Sequence, residues 1–158
     1  MEDCCHVPAT QDERFSCPGC GQQGKSVPIL TLKALLRPSA LEILDPQLPY
    51  AFCSNPTCEV VYFSGTQAFQ PGALKVPVFQ KDPSPDVSVC YCFGWTRERL
   101  IRADFEDQHP AEQIREHVQA NRCGCEVNNP QGVCCLGNIT TFLRTLTRLK
   151  GSAHDFMA

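Results

Sequence analysis

Twelve cysteines, gathered into short-spaced groups, constrain this 158-residue chain more than any other feature. Four read Cys17-x-x-Cys20 and Cys53-x4-Cys58. Six more read Cys90-x-Cys92, Cys123-x-Cys125 and Cys134-Cys135, and Cys4-Cys5 precede His6. Thiolates are strong ligands for zinc and for iron–sulfur clusters. Two sets with different spacings predict two metal centres of different kinds.

An oxidising compartment would instead turn these cysteines into disulfides. Residues 1–14 carry Glu2, Asp3, Asp12 and Glu13 and no apolar run, so no signal peptide is read there. No segment approaches the roughly 18 apolar residues of a membrane span. The expectation is a cytoplasmic protein without membrane insertion, whose reduced thiols serve as metal ligands. A net charge of −3 and a pI near 5.8 argue against a nucleic-acid binder. Arg97, Arg99, Arg102, Arg144 and Arg148 gather locally. Solvated helix faces are the plain reading of them; positive charge placed near an anionic metal–thiolate centre, or a docking surface for an acidic partner, is the sharper one.

The polar stretch Gln80-Lys81-Asp82-Pro83-Ser84-Pro85-Asp86 is twice interrupted by proline and reads as a linker over 80–87. It separates a domain at 15–79 from one at 88–150, with a flexible N-terminus at 1–14 and a tail at 151–158. Domains this small bury little core and usually need a staple such as a metal. The fold class expected is α+β: a small zinc-binding domain of short strands and helices, then a small helical domain. In the first, Val27 to Leu30 suggests a strand, Thr31 an N-cap for a helix over 32–36, and Ser39 a cap for 40–44. Tyr50-Ala51-Phe52 and Val60-Val61-Tyr62-Phe63 read as strands flanking a turn at Asn55-Pro56. Phe69 and Leu74 to Phe79 suggest further strand, with a turn at Pro71-Gly72. In the second, Thr96 caps a helix from Arg97 to about Asp107 with Leu100, Ile101 and Phe105 on one face. Pro110 opens a helix to about Asn121, and Asn138 caps a third with the stripe Ile139, Phe142, Leu143, Leu146 and Leu149, ending near Gly151.

Cys17-Pro18-Gly19-Cys20-Gly21 is a knuckle that aims two sulfurs at one point, and Cys53 and Cys58 supply a second pair from a turn between strands. Four thiolates suit tetrahedral zinc with no position left for substrate. Buried free cysteines, a rubredoxin-type iron site and a redox dithiol at Cys17–Cys20 are the alternatives. The second set suits a 2Fe–2S cluster, which takes two thiolates per iron. Cys90 and Cys92 fill two places, and Cys123, Cys125, Cys134 and Cys135 are four candidates for the other two. Glycine and proline in that loop would let backbone N–H groups approach the cluster sulfurs.

The run Val89-Cys90-Tyr91-Cys92-Phe93, the segment Asn129-Pro130-x-Gly132-x-Cys134-Cys135, and the upstream Cys-Pro-x-Cys with Tyr-x-Phe-Cys-x4-Cys-Glu-Val-Val-Tyr-Phe resemble the N-terminal region of the CopZ-type copper chaperones over residues 15–150. The resemblance implies a zinc-binding domain joined to a helical domain similar to the bacterioferritin-associated ferredoxins. It implies zinc ligands at Cys17, Cys20, Cys53 and Cys58, and 2Fe–2S ligands at Cys90, Cys92, Cys125 and Cys135. Cys123 and Cys134 are then spare. No Met-x-Cys-x-x-Cys copper-transfer motif follows, so copper delivery by that route is not expected.

The implied function is a one-electron carrier or metal reductase in copper or other thiophilic-metal handling, with a protein redox or metal-transfer partner. Its class alternative is a soft-metal binding, sensing or chaperone module without electron transfer, in which Cys4, Cys5, Cys123 and Cys134 capture Cu+. Cys4-Cys5-His6 offers only three ligands near a chain end and reads more plainly as flexible terminus. His109 and His117 read as surface residues. The absence of a nucleophile elbow, phosphate loop or dinucleotide fingerprint argues against a conventional hydrolase or dehydrogenase.

Overall fold

A computed structural model describes residues 15–156 apart from 66, and side chains as far as 149. The motif Cys4-Cys5-His6 lies outside the described residues. The chain is mixed α+β and forms two units. One comprises residues up to Pro83 together with Glu126–Val133; the other comprises Ser84–Cys125 and Cys134 onward.

In the first unit, four short strands form an antiparallel sheet in chain order: β1 (Lys25–Val27), β2 (Tyr50–Phe52), β3 (Tyr62–Phe63) and β4 (Ala68–Phe69). Register decides which side chains share a face. Val27 pairs with Tyr50, Phe52 with Tyr62 and Tyr62 with Phe69, so these lie together; Ala51 pairs with Phe63 and Phe63 with Ala68 on the other side. The first face packs with Leu32 of helix α1 (Ile29–Leu35), Leu36, and Ala40 of helix α2 (Pro38–Leu41). Phe52 and Tyr62 meet edge to face at 6.1 Å, and each fully buried aromatic contributes about 1.5–3 kcal/mol relative to an exposed one. The second face gathers Ala51 and Phe63 with Cys17, Cys53 and Val60. Burial on both sides explains why β2 is apolar throughout, without the alternation of a half-exposed strand.

Several boundaries differ from expectation. Helix α1 begins at Ile29 with Pro28 as N-cap, so Thr31 sits inside it. Its hydroxyl is buried without a hydrogen-bond partner. Pro28 holds φ at −63° and already accepts the Thr31 N–H at 3.0 Å, starting the turn earlier. Likewise α2 opens on Pro38 at its first position, with Arg37 as N-cap in place of Ser39. Leu74 forms only an isolated bridge with Leu36, and no strand forms over 74–79. Arg37 binds that edge, donating from Nε to the Leu74 carbonyl at 2.9 Å.

Segment 126–133 completes this unit. Tyr62 Oη donates to the Pro130 carbonyl at 2.5 Å, and both residues are buried. Gly132 is buried with φ +73°, and a Cβ there would lie 2.9 Å from Pro28 Cδ, 2.9 Å from Thr31 Oγ1 and 3.0 Å from Val27 Cγ2.

The second unit opens with the hairpin β5 (Ser88–Cys90) and β6 (Trp95–Thr96), then α3 (Arg97–Phe105) and α4 (Pro110–Gln119). The short turn α5 (Cys125–Asn128) belongs to this unit only by Cys125, its remaining residues lying in the first, and the long helix α6 (Leu136–Phe156) follows. Thr96 caps α3 as expected, its hydroxyl accepting the Arg99 N–H at 3.1 Å. Helix α6 packs on α3, α4 and β5. The buried positions of the three helices include Leu100, Ala103, Ile114 and Ile139. Of the three α3 residues expected on one face, Leu100 is buried while Ile101 is 42% and Phe105 79% exposed. Leu100 and Ala103, three apart, fill the inward stripe of this short helix. The stripe on α6 also fades, with Leu149 62% exposed, and the helix passes through Gly151 without stopping. Among the described residues, no helix is long and apolar enough to cross a membrane.

Candidate metal centres

The sulfurs of Cys17, Cys20, Cys53 and Cys58 all lie within 4.8 Å of one another. The first pair comes from the knuckle. Cys17 N–H donates to the Gln22 carbonyl and Gly21 N–H to the Cys17 carbonyl, both at 2.8 Å, and Gly21 takes φ +74° to close the turn. The second pair sits between β2 and β3. Cys53 N–H donates to the Val61 carbonyl at 2.9 Å, and the Asn55 carboxamide accepts the Thr57 N–H at 3.1 Å, shaping the loop to Cys58.

The donor set fits a tetrahedral metal. Cys17 and Cys58 sulfurs are 3.7 Å apart, as are those of Cys20 and Cys53. Bonds of about 2.3 Å at the tetrahedral angle place sulfurs about 3.8 Å apart. Donors point at the sulfurs, as negative thiolates require. Gly19 N–H lies 3.4 Å from Cys17 Sγ and Val60 N–H 3.5 Å from Cys58 Sγ. Lys81 Nζ lies 3.6 Å from Cys53 Sγ and 2.6 Å from the Asn55 carbonyl. The Gln22 N–H and then the Asn55 side chain stabilise the Cys20 thiolate and pull that thiol down to about 6. Burial pushes Cys53 up to about 12. The Val60 N–H lowers Cys58, but burial and the neighbouring Cys17 and Cys20 sulfurs outweigh it and leave that thiol raised.

The second set converges differently. Cys92 and Cys125 sulfurs are 3.6 Å apart, and Cys135 hydrogen-bonds both Cys90 and Cys125. Cys90 ends β5, Cys92 lies in the hairpin loop, Cys125 opens α5, and Cys135 immediately precedes α6. Cys90, Cys125 and Cys135 are buried, and Cys92, Cys123 and Cys134 are half-buried. The hydrogen bond from Cys135 lowers Cys90 and brings Cys125 down to about 6; Cys135, the donor to both, is raised. Burial, then the Cys125 and Cys134 sulfurs, raises Cys123. All six thiols thus belong to one neighbourhood. Among the described residues, only the first set draws all its sulfurs within 4.8 Å.

The loop glycines behave unequally. Gly124 N–H donates to Cys92 Sγ at 3.2 Å. Gly132 instead donates to the Asn129 carbonyl at 2.8 Å and packs against Val27, Pro28 and Thr31 in the first unit. Arg99 braces the hairpin loop, with its Nη1 3.1 Å from the Phe93 carbonyl and its guanidinium carbon 3.8 Å from the Trp95 ring centroid. His117 stacks on Phe93 at 4.8 Å and receives Arg122 at 3.0 Å on Nδ1, so it is more engaged than a plain surface residue. Asn55 and Lys81 escaped the sequence reading. Asn55 appeared there only as a turn residue, and nothing in the spacing of Lys81 points to a cysteine.

The sheet with its two cysteine pairs defines a small zinc-binding α+β domain. Residues 14–75 match the family of CopZ-type zinc-binding domains. The copper chaperone CopZ of Archaeoglobus fulgidus is 33% identical over 120 residues, 75% of this chain and 57% of that protein. The X-ray structure of the N-terminal domain of that CopZ is similar at a TM-score of 0.66 and 31% identity, covering 80% of this chain and 96% of the solved one. The chain belongs to the CopZ-type copper chaperone family, and it spans just over half the length of that curated relative.

Proposed function

We propose that the chain handles copper or another thiophilic metal through two centres: zinc on Cys17, Cys20, Cys53 and Cys58, and a 2Fe–2S cluster on Cys90, Cys92, Cys125 and Cys135. The observation that carries this reading is the grouping of the cysteines into a tight four-sulfur set and a separate, looser one. The zinc set leaves no open coordination position, so its role is to hold the first unit folded and to present a partner surface. The second centre, in a domain of the bacterioferritin-associated-ferredoxin type, supplies a one-electron couple when its cluster is bound. The protein's own residues exclude water from Cys90 and Cys135, donate the Gly124 N–H to Cys92, and hold the hairpin loop through Arg99. Copper is the substrate in this scheme, accepting one electron in passing from Cu(II) to Cu(I), and a protein partner supplies the electron or receives the metal.

Metal and acid-labile sulfide analysis of anaerobically purified protein, with EPR of the reduced form, tests the proposal. One zinc, two irons and two sulfides per chain are expected. A colourless protein with two zincs would refute the electron-transfer role. Cys125→Ser or Cys135→Ser is expected to abolish colour, and Cys123→Ser or Cys134→Ser to leave it; the opposite pattern would overturn the ligand set. The half-burial of Cys123 and Cys134 beside Cys125 favours one second reading: capture of Cu+ by soft thiols in a binding or sensing module without electron transfer.

A further inference from the structure

All four sulfurs in the tight set receive neutral donors: Gly19 N–H for Cys17, the Gln22 N–H and Asn55 side chain for Cys20, the Asn55 N–H for Cys53, and Val60 N–H for Cys58. Cys53 has in addition a full positive charge, the Lys81 ammonium, 3.6 Å from its sulfur. The placement is built. Lys81 N–H donates to the carbonyl of buried Val78 at 2.9 Å, Gln80 Nε2 donates to Gln131 Oε1 at 2.9 Å, and Nζ is steered by the Asn55 carbonyl at 2.6 Å. A divalent ion with four thiolates carries a formal charge of −2, so one ammonium halves the net charge of the centre.

We propose that Lys81 is a positioning residue for this metal centre: its ammonium holds the Cys53 sulfur and offsets part of the thiolate charge, making the centre slow to react with electrophiles. The proposal rests on the zinc reading above. A charge-assisted N–H to sulfur bond withdraws electron density from the lone pair that would attack, so nucleophilicity falls while coordination is kept. The arrangement suits a centre that must persist beside copper and reactive thiols without shedding its metal.

The test uses the full zinc-loaded chain, with Lys81→Met as the neutral variant of similar length and Lys81→Arg as the conservative one. Zinc content is measured first. A chromogenic chelator then records zinc release during alkylation by neutral iodoacetamide and by anionic iodoacetate. In each reaction, sulfur forms a bond to the reagent's methylene carbon and iodide leaves. Lys81→Met is expected to speed release by iodoacetamide roughly three- to tenfold, the scale of losing one partly screened charge-assisted hydrogen bond. The iodoacetate-to-iodoacetamide rate ratio is expected to fall by about twofold or more as the centre becomes more negative. Lys81→Arg is expected to stay near wild type on both. A mere tie to the Asn55 loop would instead raise release by both reagents and by chelator alone in proportion, with the ratio unchanged. That result, or no change at all, overturns the proposal. Wild-type protein without zinc would show at the first measurement that the metal reading itself has failed, taking the proposal with it.

Discussion

Gly132→Ala is expected to destabilise the first unit well beyond an ordinary glycine substitution, and the cost divides into two parts. The backbone sits at φ +73°, where a Cβ costs about 1–2 kcal/mol. That Cβ would also lie 2.9–3.0 Å from Pro28 Cδ, Thr31 Oγ1 and Val27 Cγ2. None is the end of a long side chain: Pro28 is a ring, while Val27 and Thr31 are buried β-branched residues. Overpacking of this kind costs about 1–3 kcal/mol. Gly21→Ala supplies the control within the same unit. Its φ is +74° and nothing lies within 4 Å of its Cβ position, so it carries only the first part. Urea unfolding of the zinc-loaded protein, followed by zinc release, reads this unit directly. With m near 1 kcal/mol/M, the Gly132→Ala midpoint is expected about 1–3 M below that of Gly21→Ala. Midpoints within about 0.3 M of each other would refute the steric argument.

Further outcomes follow from the centres and their surroundings. Zinc affinity is expected to rise with pH, because Cys53, pushed by burial to about 12, and Cys58, also raised, are protonated at neutral pH and must lose those protons on binding. Calorimetry in buffers of different ionisation enthalpy should find at least about two protons released per zinc near pH 7, and fewer would contradict the assignment. Cys53→Ser is expected to weaken zinc binding by more than the roughly 10–100-fold typical of losing an outer partner, measured by competition with a chelator. Tyr62→Phe keeps the ring but strands the buried Pro130 carbonyl, and is expected to cost about 1–3 kcal/mol in urea unfolding. Arg99→Met removes an exposed cation–π contact, and is expected to cost only about 0.5–1 kcal/mol in an unfolding curve followed by Trp95 fluorescence.

Cysteine spacing carried most of what could be read in advance. A knuckle constrains the positions of two sulfurs within four residues, so Cys17 and Cys20 announced their geometry locally. Thr96 was legible for the same reason: a cap is a contact between near neighbours. Thr31 misled because Pro28, three residues earlier, offered a stronger start than a hydroxyl could. Ile101 and Phe105 misled because apolar spacing names a stripe without saying how much of it a neighbour covers. The contacts of Lys81 with Cys53 and of Gly132 with Val27 join residues far apart in the chain, and no local pattern encodes them.

The assignment of segment 126–133 to the first unit bears on how this chain can be divided. A fragment ending at Pro83 would retain the Tyr62 hydroxyl and lose its Pro130 acceptor. A fragment beginning at Ser84 would keep Gly132 but lose the Val27, Pro28 and Thr31 surface that makes glycine necessary there. A single cut therefore damages both pieces.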